Sequence, residues 1–130
     1  MFGKKKQPPV RSLIDKGTQI QGNLKFTDGM RVDGNVVGNI RANEDSDSLI
    51  VIGESAVIEG DVYSDHVIIN GKIIGHVHAF ELLELQPKAQ IEGDVSYKAL
   101  EMHQGAVISG QLKPMIPGEK PALKLAANNG

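Results

Sequence analysis

Two of the four histidines have the spacing of metal ligands on a β-strand. His76 and His78 are two residues apart, so on a strand both imidazoles would project from one face, as the ligands of some zinc sites do. No third ligand is evident. His66 and His103 do not share the spacing of this pair along the strand, and no carboxylate has an obvious place beside it. The sequence therefore favours solvent-facing histidines, and it predicts no bound metal and no other cofactor.

Two carboxylates with a histidine between them form a second possible site. A polar residue follows a recurrent glycine at six places, namely Asn23, Asn39, Asp61, His76, Asp94 and Gln111. If successive repeats stack roughly 4.8 Å apart, Asp61 and Asp94 would be roughly 9.6 Å apart, near the upper limit for an inverting glycosidase. Asn and Asp after glycine are also ordinary turn residues, so we prefer a structural role. The alternative is a β-helix enzyme or polysaccharide-binding protein that uses the Asp61-His76-Asp94 face.

The sequence lacks other catalytic and ligand-binding motifs. Glu44, Asp45 and Asp47 are not accompanied by the glycine and distal glutamate of a calcium-binding loop. No glycine-rich nucleotide motif and no G-x-S-x-G turn occurs, and the chain has no cysteine. We therefore predict that the protein is not an enzyme, has no catalytic residues and has no small-molecule substrate.

The recurrent glycines belong to a repeat of small residue, x, aliphatic, x, Gly, x, aliphatic that occurs six times. The four columns are Thr18, Gly34, Ala56, Gly71, Ala89 and Ala106; Ile20, Val36, Ile58, Ile73, Ile91 and Ile108; Gly22, Gly38, Gly60, Gly75, Gly93 and Gly110; and Leu24, Ile40, Val62, Val77, Val95 and Leu112. Successive glycines are 16, 22, 15, 18 and 17 residues apart, and all four columns share these steps. The spacing within the unit is therefore constant, and only the distance between units varies.

This repeat predicts an all-β protein built as a parallel β-solenoid of about six coils. Alternating aliphatic residues indicate strands, and repeats of this length without helical stretches suit the coils of a solenoid. At roughly 4.8 Å per coil, the rod would be on the order of 25–30 Å long. The uneven steps argue against left-handed acyltransferase and zinc hydratase helices, which need a strict six-residue period. A second aliphatic pair gives each coil at least two inward-facing sides: Met30 and Val32, Leu49 and Val51, Val67 and Ile69, Leu83 and Leu85, and Leu100 and Met102.

Charge and proline content divide the chain into three parts. Residues 1–12 carry a net charge of +4, the repeat domain at 13–112 a net charge of −8, and residues 113–130 a net charge of +2. Both ends contain prolines and no repeat, which predicts disordered tails around one β-helix domain. An acidic core would repel polyphosphate, so we expect it to bind no nucleic acid. The longest step contains residues 42–48, a predicted loop that bulges from the rod.

The first six residues combine apolar and basic side chains. Met1 and Phe2 could enter a membrane interface while Lys4, Lys5 and Lys6 lie over anionic headgroups, at about 1 kcal/mol per basic residue. A solubilising tail explains the same residues almost as well. The sequence contains no signal peptide and no transmembrane run. We therefore expect a cytoplasmic protein at the inner face of the cell membrane, with anionic lipids as partners.

Neither end of the predicted rod carries a polar cap or an amphipathic helix. Open strand edges template pairing with other chains, and soluble solenoids normally close them. We therefore predict a homopolymer formed end to end, and many membrane-binding segments on one filament would add avidity. The predicted polymerisation interface is Ile20, Leu24 and Phe26 at one end and Ile108, Leu112 and Met115 at the other.

These features together resemble the bactofilins, a family of bacterial cytoskeletal proteins. The resemblance covers residues 13–112 through units such as Ile58-Glu59-Gly60-Asp61-Val62, and Met1-Phe2-Gly3-Lys4-Lys5-Lys6 is similar to the family's membrane-targeting sequence. It implies a right-handed triangular β-helix that polymerises without nucleotide into non-polar filaments, head to head and tail to tail. It also implies a scaffold that positions cell-wall synthesis or remodelling proteins, or cell-shape proteins, at the inner membrane face.

Overall fold

The computed structural model describes residues 7–44 and 47–115, in which all regular structure is β-strand and no helix occurs. The strands in these residues are β1 (Val10–Ile14), β2 (Gln19–Gln21), β3 (Leu24–Phe26), β4 (Gly29–Val32), β5 (Asn35–Val37), β6 (Ile40–Ala42), β7 (Leu49–Ile52), β8 (Val57–Glu59), β9 (Val62–Ile69), β10 (Lys72–Ile74), β11 (Val77–Leu85), β12 (Gln90–Glu92), β13 (Val95–Met102), β14 (Val107–Ile108) and β15 (Leu112–Pro114). The all-β prediction is confirmed. The predicted disordered tails are residues 1–12 and 113–130. Of these, residues 1–6 and 116–130 lie outside the described residues.

The strands stack in parallel as a solenoid of six coils with three faces. One face is the sheet β2-β5-β8-β10-β12-β14. The second runs from β1 through β4 and β7 to the C-terminal halves of β9, β11 and β13. The third runs from β3 through β6 to the N-terminal halves of the same three strands and then to β15. The predicted β-solenoid is confirmed, and each coil has three inward-facing sides.

The aliphatic columns of the repeat stack in the predicted register. Ile20, Val36, Ile58, Ile73, Ile91 and Ile108 are paired in sequence along one face. The second aliphatic column is paired in the same way from Leu24 to Leu112. In the four inner coils, both columns are almost completely buried. Since a fully buried aliphatic side chain contributes about 1.5–3 kcal/mol, these columns contribute a large part of the stability.

The repeat glycines form a column at a corner where successive coils approach most closely. Gly75 has a φ of +153°, and a Cβ at this position would collide with the carbonyl oxygen of Gly60, one coil earlier. The same collision would occur at each repeat glycine from Gly38 to Gly110. Only glycine leaves room for the backbones to stack here and tolerates this φ without strain. Gly22, in the first coil, has no such neighbour within 4 Å.

The solenoid extends beyond the predicted limits of 13 and 112. β1 begins at Val10, because residues from Val10 to Ile14 pair with β4. β15 continues to Pro114, because it pairs with β13. β1 thus includes three residues, Val10, Arg11 and Ser12, of the segment 1–12 that the sequence predicts as a flexible tail.

The third coil differs from the predicted register by one residue. Ile50 and Ile52 face the core, in register with the inward-facing residues of β4 and β9, whereas the sequence pattern assigned these positions to Leu49 and Val51. All four residues of this run are aliphatic, so alternation alone cannot tell which pair faces inward. The hydrogen-bonded register with the neighbouring coils decides it.

The long step of the repeat forms a loop between β6 and β7, and its C-terminal end is attached to the rod. Ser48 and Ser64 are buried, and the hydroxyl of Ser64 donates to that of Ser48 at 3.0 Å. The Ser48 hydroxyl also accepts the backbone N–H of Asp65 at 2.9 Å. In return, the Asp65 carboxylate accepts the backbone N–H of Ser48 at 3.1 Å. These bonds return the chain to the same path as the other coils after the insertion.

The glycine column generates a first prediction. We expect Gly75→Ala to lower the free energy of unfolding more than Gly22→Ala. Both substitutions place an alanine at a positive φ, but only the Cβ at position 75 would also collide with a carbonyl oxygen. The φ effect alone costs about 1–3 kcal/mol. Thermal denaturation followed by circular dichroism measures the difference. Equal losses in the two variants would contradict the close approach of the coils at this corner.

Candidate polymerisation interface

Both ends of the solenoid are open strand edges within the described residues. At the N-terminal end β1, β2 and β3 each have a partner on one side only. At the C-terminal end the same is true of β14 and β15, and of the second half of β13. Such edges carry unpaired backbone N–H and C=O groups that can pair with another chain.

Side-chain exposure along the core columns shows where the covering layer is missing. Ile20 and Ile108, at the two ends of the first aliphatic column, are only partly buried, whereas the members between them are at most 1% exposed. In the second column Leu24 is partly buried and Leu112 is 48% exposed. Within the described residues, these terminal members of the two columns are therefore core residues with a neighbouring coil on one side only.

Residues of the core columns are more exposed at the C-terminal end than at the N-terminal end. Met102 is 48% exposed, although it is in register with the completely buried Leu85 of the preceding coil. Leu100, two residues earlier, is partly buried. Leu100 and Met102 belong to a predicted aliphatic column but not to the predicted interface. The signal was present, because they are the last members of that column and have no equivalent in a later repeat.

The predicted N-terminal contact residues are better covered. Phe26 is 5% exposed and belongs to the core although it lies in the first coil, as does Ile14. Met115, at the other end, is partly buried, and its backbone N–H donates to the carbonyl of Tyr97 at 2.7 Å. The structure thus brings Ile108, Leu112 and Met115 to one end of the rod. The contact between copies stays a prediction for all six residues.

The predicted membrane-binding residues Met1, Phe2, Lys4, Lys5 and Lys6 lie outside the described residues. The described chain begins at Gln7, whose side-chain amide nitrogen is 3.0 Å from His66 Nδ1. In the part of the chain that the structure describes, no helix is long and apolar enough to cross a membrane.

The polar residues that follow the repeat glycines form a hydrogen-bond ladder. In each step the backbone N–H of one member donates to the side chain of the member one coil earlier, through an amide or carboxylate oxygen or, for His76, through Nδ1. The steps are Asn39 to Asn23 at 2.9 Å, Asp61 to Asn39 at 2.8 Å, His76 to Asp61 at 2.9 Å, Asp94 to His76 at 3.0 Å, and Gln111 to Asp94 at 2.9 Å. These acceptors hold successive coils together, which supports a structural role for the Asp61-His76-Asp94 face.

His76 and His78 have different surroundings and do not act as a pair. His76 accepts a ladder hydrogen bond, whereas the ring of His78 stacks on Tyr63 with the centroids 4.4 Å apart. The guanidinium of Arg41 lies 3.9 Å from the centroid of the same tyrosine ring, so the three side chains form a stack across successive coils. Burial lowers the pKa of His78. Within the described residues, no cluster of metal-ligating side chains includes either histidine.

Asp94 connects the fifth and sixth coils. Its carboxylate accepts the backbone N–H of Gln111 and also lies 3.1 Å from Nζ of Lys113. The hydrogen bond from Gln111 and then the contact with Lys113 hold the pKa of Asp94 below its ordinary value of 3.8. The terminal coil is therefore attached partly through an ionised carboxylate.

Comparisons with known proteins agree with this architecture. Residues 12–113 match the family described as "Bactofilin: Polymer-forming cytoskeletal". The chain is similar to bactofilin BacO of Myxococcus xanthus, with 27% identity over 103 residues that cover 79% of each chain. It is also similar to bactofilin BacP of the same organism, with 26% identity over 118 residues, 86% of this chain and 48% of BacP. No solved structure gives a significant match.

The attachment of the terminal coil through Asp94 should depend on pH. Because the pKa of Asp94 is lower in the folded than in the unfolded chain, its contribution to stability is complete above about pH 3.8 and is lost as the pH falls through the lower folded value. We expect the Gln111 amide to lose protection against hydrogen exchange on acidification, measured by NMR relative to the Asp61 amide.

Asp94→Asn is the matched control, because it keeps an oxygen acceptor for Gln111 but cannot titrate. In this variant the protection of the Gln111 amide relative to Asp61 should not follow the same pH profile. Identical profiles in the wild type and the variant would show that Asp94 does not control the attachment.

Proposed function

Because this chain belongs to the bactofilin family of polymer-forming cytoskeletal proteins, we propose that it assembles end to end, without nucleotide, into non-polar filaments at the inner face of the cell membrane. In this proposal the filament is a scaffold that positions cell-wall or cell-shape proteins. The observation that carries the proposal is the exposure of core residues at the two ends of the solenoid.

Addition of another copy would extend interactions that already hold the coils together. Within the rod, each aliphatic column is covered by the next coil and each strand is paired on both sides. At the ends, a second copy would supply the missing strand partners and cover the exposed apolar side chains. Because each fully buried aliphatic side chain contributes about 1.5–3 kcal/mol, a few such contacts are a substantial driving force.

The difference between the two ends supports pairing of like with like. Met102 and Leu112 are about half exposed at the C-terminal end, whereas Ile14 and Phe26 are buried at the N-terminal end. The exposed core residues of the C-terminal surface would be covered by the same surface of another copy. Contacts of this isologous kind use one patch twice, and two such contacts in alternation give a filament without polarity.

Assembly without nucleotide agrees with the role of the glycines. Glycine-rich nucleotide sites use free backbone N–H groups in a loop before a helix. Here the repeat glycines stack against the carbonyl groups of the preceding coil, and the N–H groups of Gly22, Gly38, Gly60 and Gly75 donate to backbone carbonyls. The sequence pattern rich in glycine is thus explained by coil stacking.

Membrane attachment rests on the composition of residues 1–6. Three lysines together with Met1 and Phe2 favour an anionic interface, but one such short segment binds weakly by itself. A filament carries one segment per copy. Once one segment has bound, the other segments are held close to the membrane, so the filament gains avidity. Polymerisation and membrane binding would therefore reinforce one another.

Enzymatic or polysaccharide-cleaving activity is the second candidate function, and the structure supports it less well. The side chains of Asp61, His76 and Asp94 accept hydrogen bonds from the next coil, so their geometry has a structural explanation. The family to which the chain belongs is a cytoskeletal one. A scaffold is therefore the function that the fold and the family support best.

Blocking one end should distinguish isologous from head-to-tail assembly. We expect Met102→Lys combined with Leu112→Lys to stop filament growth, because it places two charges in the apolar C-terminal surface. If like ends pair, the N-terminal contact persists and the product is a dimer with twice the 14.0 kDa mass of one chain. Light scattering after size exclusion measures this mass, and electron microscopy shows whether filaments remain.

Phe80→Lys is the matched control, because Phe80 is 44% exposed but lies on the side of the rod in β11. This variant should form filaments like the wild type. Monomers of the end variant would indicate head-to-tail assembly, and unchanged filaments would contradict the proposed interface. Adding Ile20→Lys to the end variant should convert the dimer to a monomer.

Removing residues 1–6 should abolish binding to anionic vesicles and leave the filaments intact. At about 1 kcal/mol per basic residue, the loss of three lysines weakens binding on the order of 100-fold. Co-sedimentation with anionic and with neutral vesicles measures it. The dimeric end variant should bind more weakly than the filament, since it has fewer segments. Equal pelleting with and without residues 1–6 would contradict the membrane assignment.

A further inference from the structure

Three side chains with metal-ligating atoms converge on the outer face of the last two coils. Glu84 of β11 and Glu101 of β13 are paired in register, and His103 follows directly after β13. One carboxylate oxygen from each glutamate and one imidazole nitrogen all lie within 4.8 Å of one another. Within the described residues, no other group of three or more metal-ligating side chains has its ligand atoms this close together.

One ligand-atom distance in the cluster is close to that of a tetrahedral metal site. Nε2 of His103 lies 3.6 Å from Oε2 of Glu84, and two ligand atoms of a tetrahedral zinc ion are roughly 3.4 Å apart. Glu101 and His103 are exposed, so small rotations of their side chains suffice to complete the geometry. The side-chain amide of Gln86 donates to Oε2 of Glu84 at 3.4 Å and helps to orient this carboxylate.

The protein leaves a surplus of negative charge at this cluster. Glu84 and Glu101 are neighbours on adjacent strands, where like charges repel. The ion pair between His103 and Glu84 exists only while the imidazole is protonated. Lys98, which lies on the same strand as Glu101, pairs with Glu81 at 3.7 Å. A divalent cation would neutralise both carboxylates and bind a neutral imidazole.

We propose that Glu84, Glu101 and His103 bind one divalent transition-metal ion and that its binding promotes assembly at the C-terminal end of the rod. An imidazole with two carboxylates suits zinc and related ions, whereas calcium takes oxygen ligands.

The link to assembly rests on the proposed function. Glu101 lies in the half of β13 that has no pairing strand on its outer side within the described residues. Two C-terminal ends that meet would bring two such negative clusters together. Neutralising each cluster with an ion lowers this repulsion, so that assembly would need a lower protein concentration.

The direct test is a zinc titration of the full chain after treatment with a chelator, by competition with a zinc-sensitive dye at neutral pH. We expect saturable binding of one zinc ion per chain. Glu101→Gln and His103→Gln should each weaken it about tenfold or more, as expected for the loss of an important metal contact. The chain has no cysteine, so no thiolate competes for the ion.

Two matched control variants each remove a carboxylate or an imidazole that lies outside the cluster. Glu92→Gln removes a carboxylate from the same coil on another face, where it pairs with Lys72. His76→Asn removes an imidazole but retains a ladder acceptor. Both controls should bind zinc like the wild type. Equal affinities in all five proteins, or no saturable binding in the wild type, would overturn the site.

NMR on the dimer expected from Ile20→Lys alone, which leaves the last two coils unchanged, gives a second readout for each histidine. With four histidines in the chain, zinc should shift the ring signals of His103 and leave those of His76 and His78 unchanged. Shifts of His76 instead would overturn the assignment to this cluster. A chelator should reverse the effect.

The effect on assembly is measured by pelleting the wild type at increasing protein concentration with and without zinc. Zinc should lower the concentration at which filaments form, and it should have no effect on His103→Gln. The same zinc effect in both proteins would overturn the link between the site and assembly. A wild type that never forms filaments contradicts the proposed function, whereas the titration tests the metal site in any oligomeric state.

Discussion

The contact of each repeat glycine with the backbone of the glycine one coil earlier is the constraint on which the rest of the structure depends. No Cβ fits between Gly75 and the carbonyl of Gly60, and the same holds along the column. Because this corner admits a single backbone path, the residues on either side of it are placed in register in every coil. The aliphatic residues two positions before and after the glycine face the core. The residue directly after it faces outward, where its side chain reaches the N–H of the next coil.

The same register explains the character of the two ends. Among the described residues, an interior coil has its strands paired and its aliphatic side chains covered on both sides, whereas a terminal coil has a neighbouring coil on one side only. In the proposed filament, assembly of copies would continue the packing that already exists within each copy. The ends differ in how much of the core they expose, since Phe26 is buried while Leu112 is half exposed. In the proposed filament, this difference would lead equivalent ends to pair.

The residues that the sequence suggests for chemistry are not the residues that the structure brings together as a possible site. The side chains of Asp61, His76 and Asp94 accept hydrogen bonds from backbone N–H groups, and this role explains their residue types. Glu84, Glu101 and His103 form a cluster that the sequence did not indicate. Glu84 and Glu101 are 17 residues apart and belong to no motif. They become neighbours only because consecutive coils stack, so the length of one coil decides which side chains meet.

By itself, the sequence determined the repeat, the parallel solenoid with about six coils and the register of two aliphatic columns, because glycine and aliphatic residues recur at fixed spacing within each unit. It could not determine features that depend on contacts between units. The run Leu49 to Ile52 is aliphatic throughout, so pairing with the neighbouring coils decided that Ile50 and Ile52 face the core. Local composition likewise did not reveal that Val10 begins the first strand or that Phe26 is buried. Tertiary structure decided these points, because burial and strand pairing depend on which coil lies alongside.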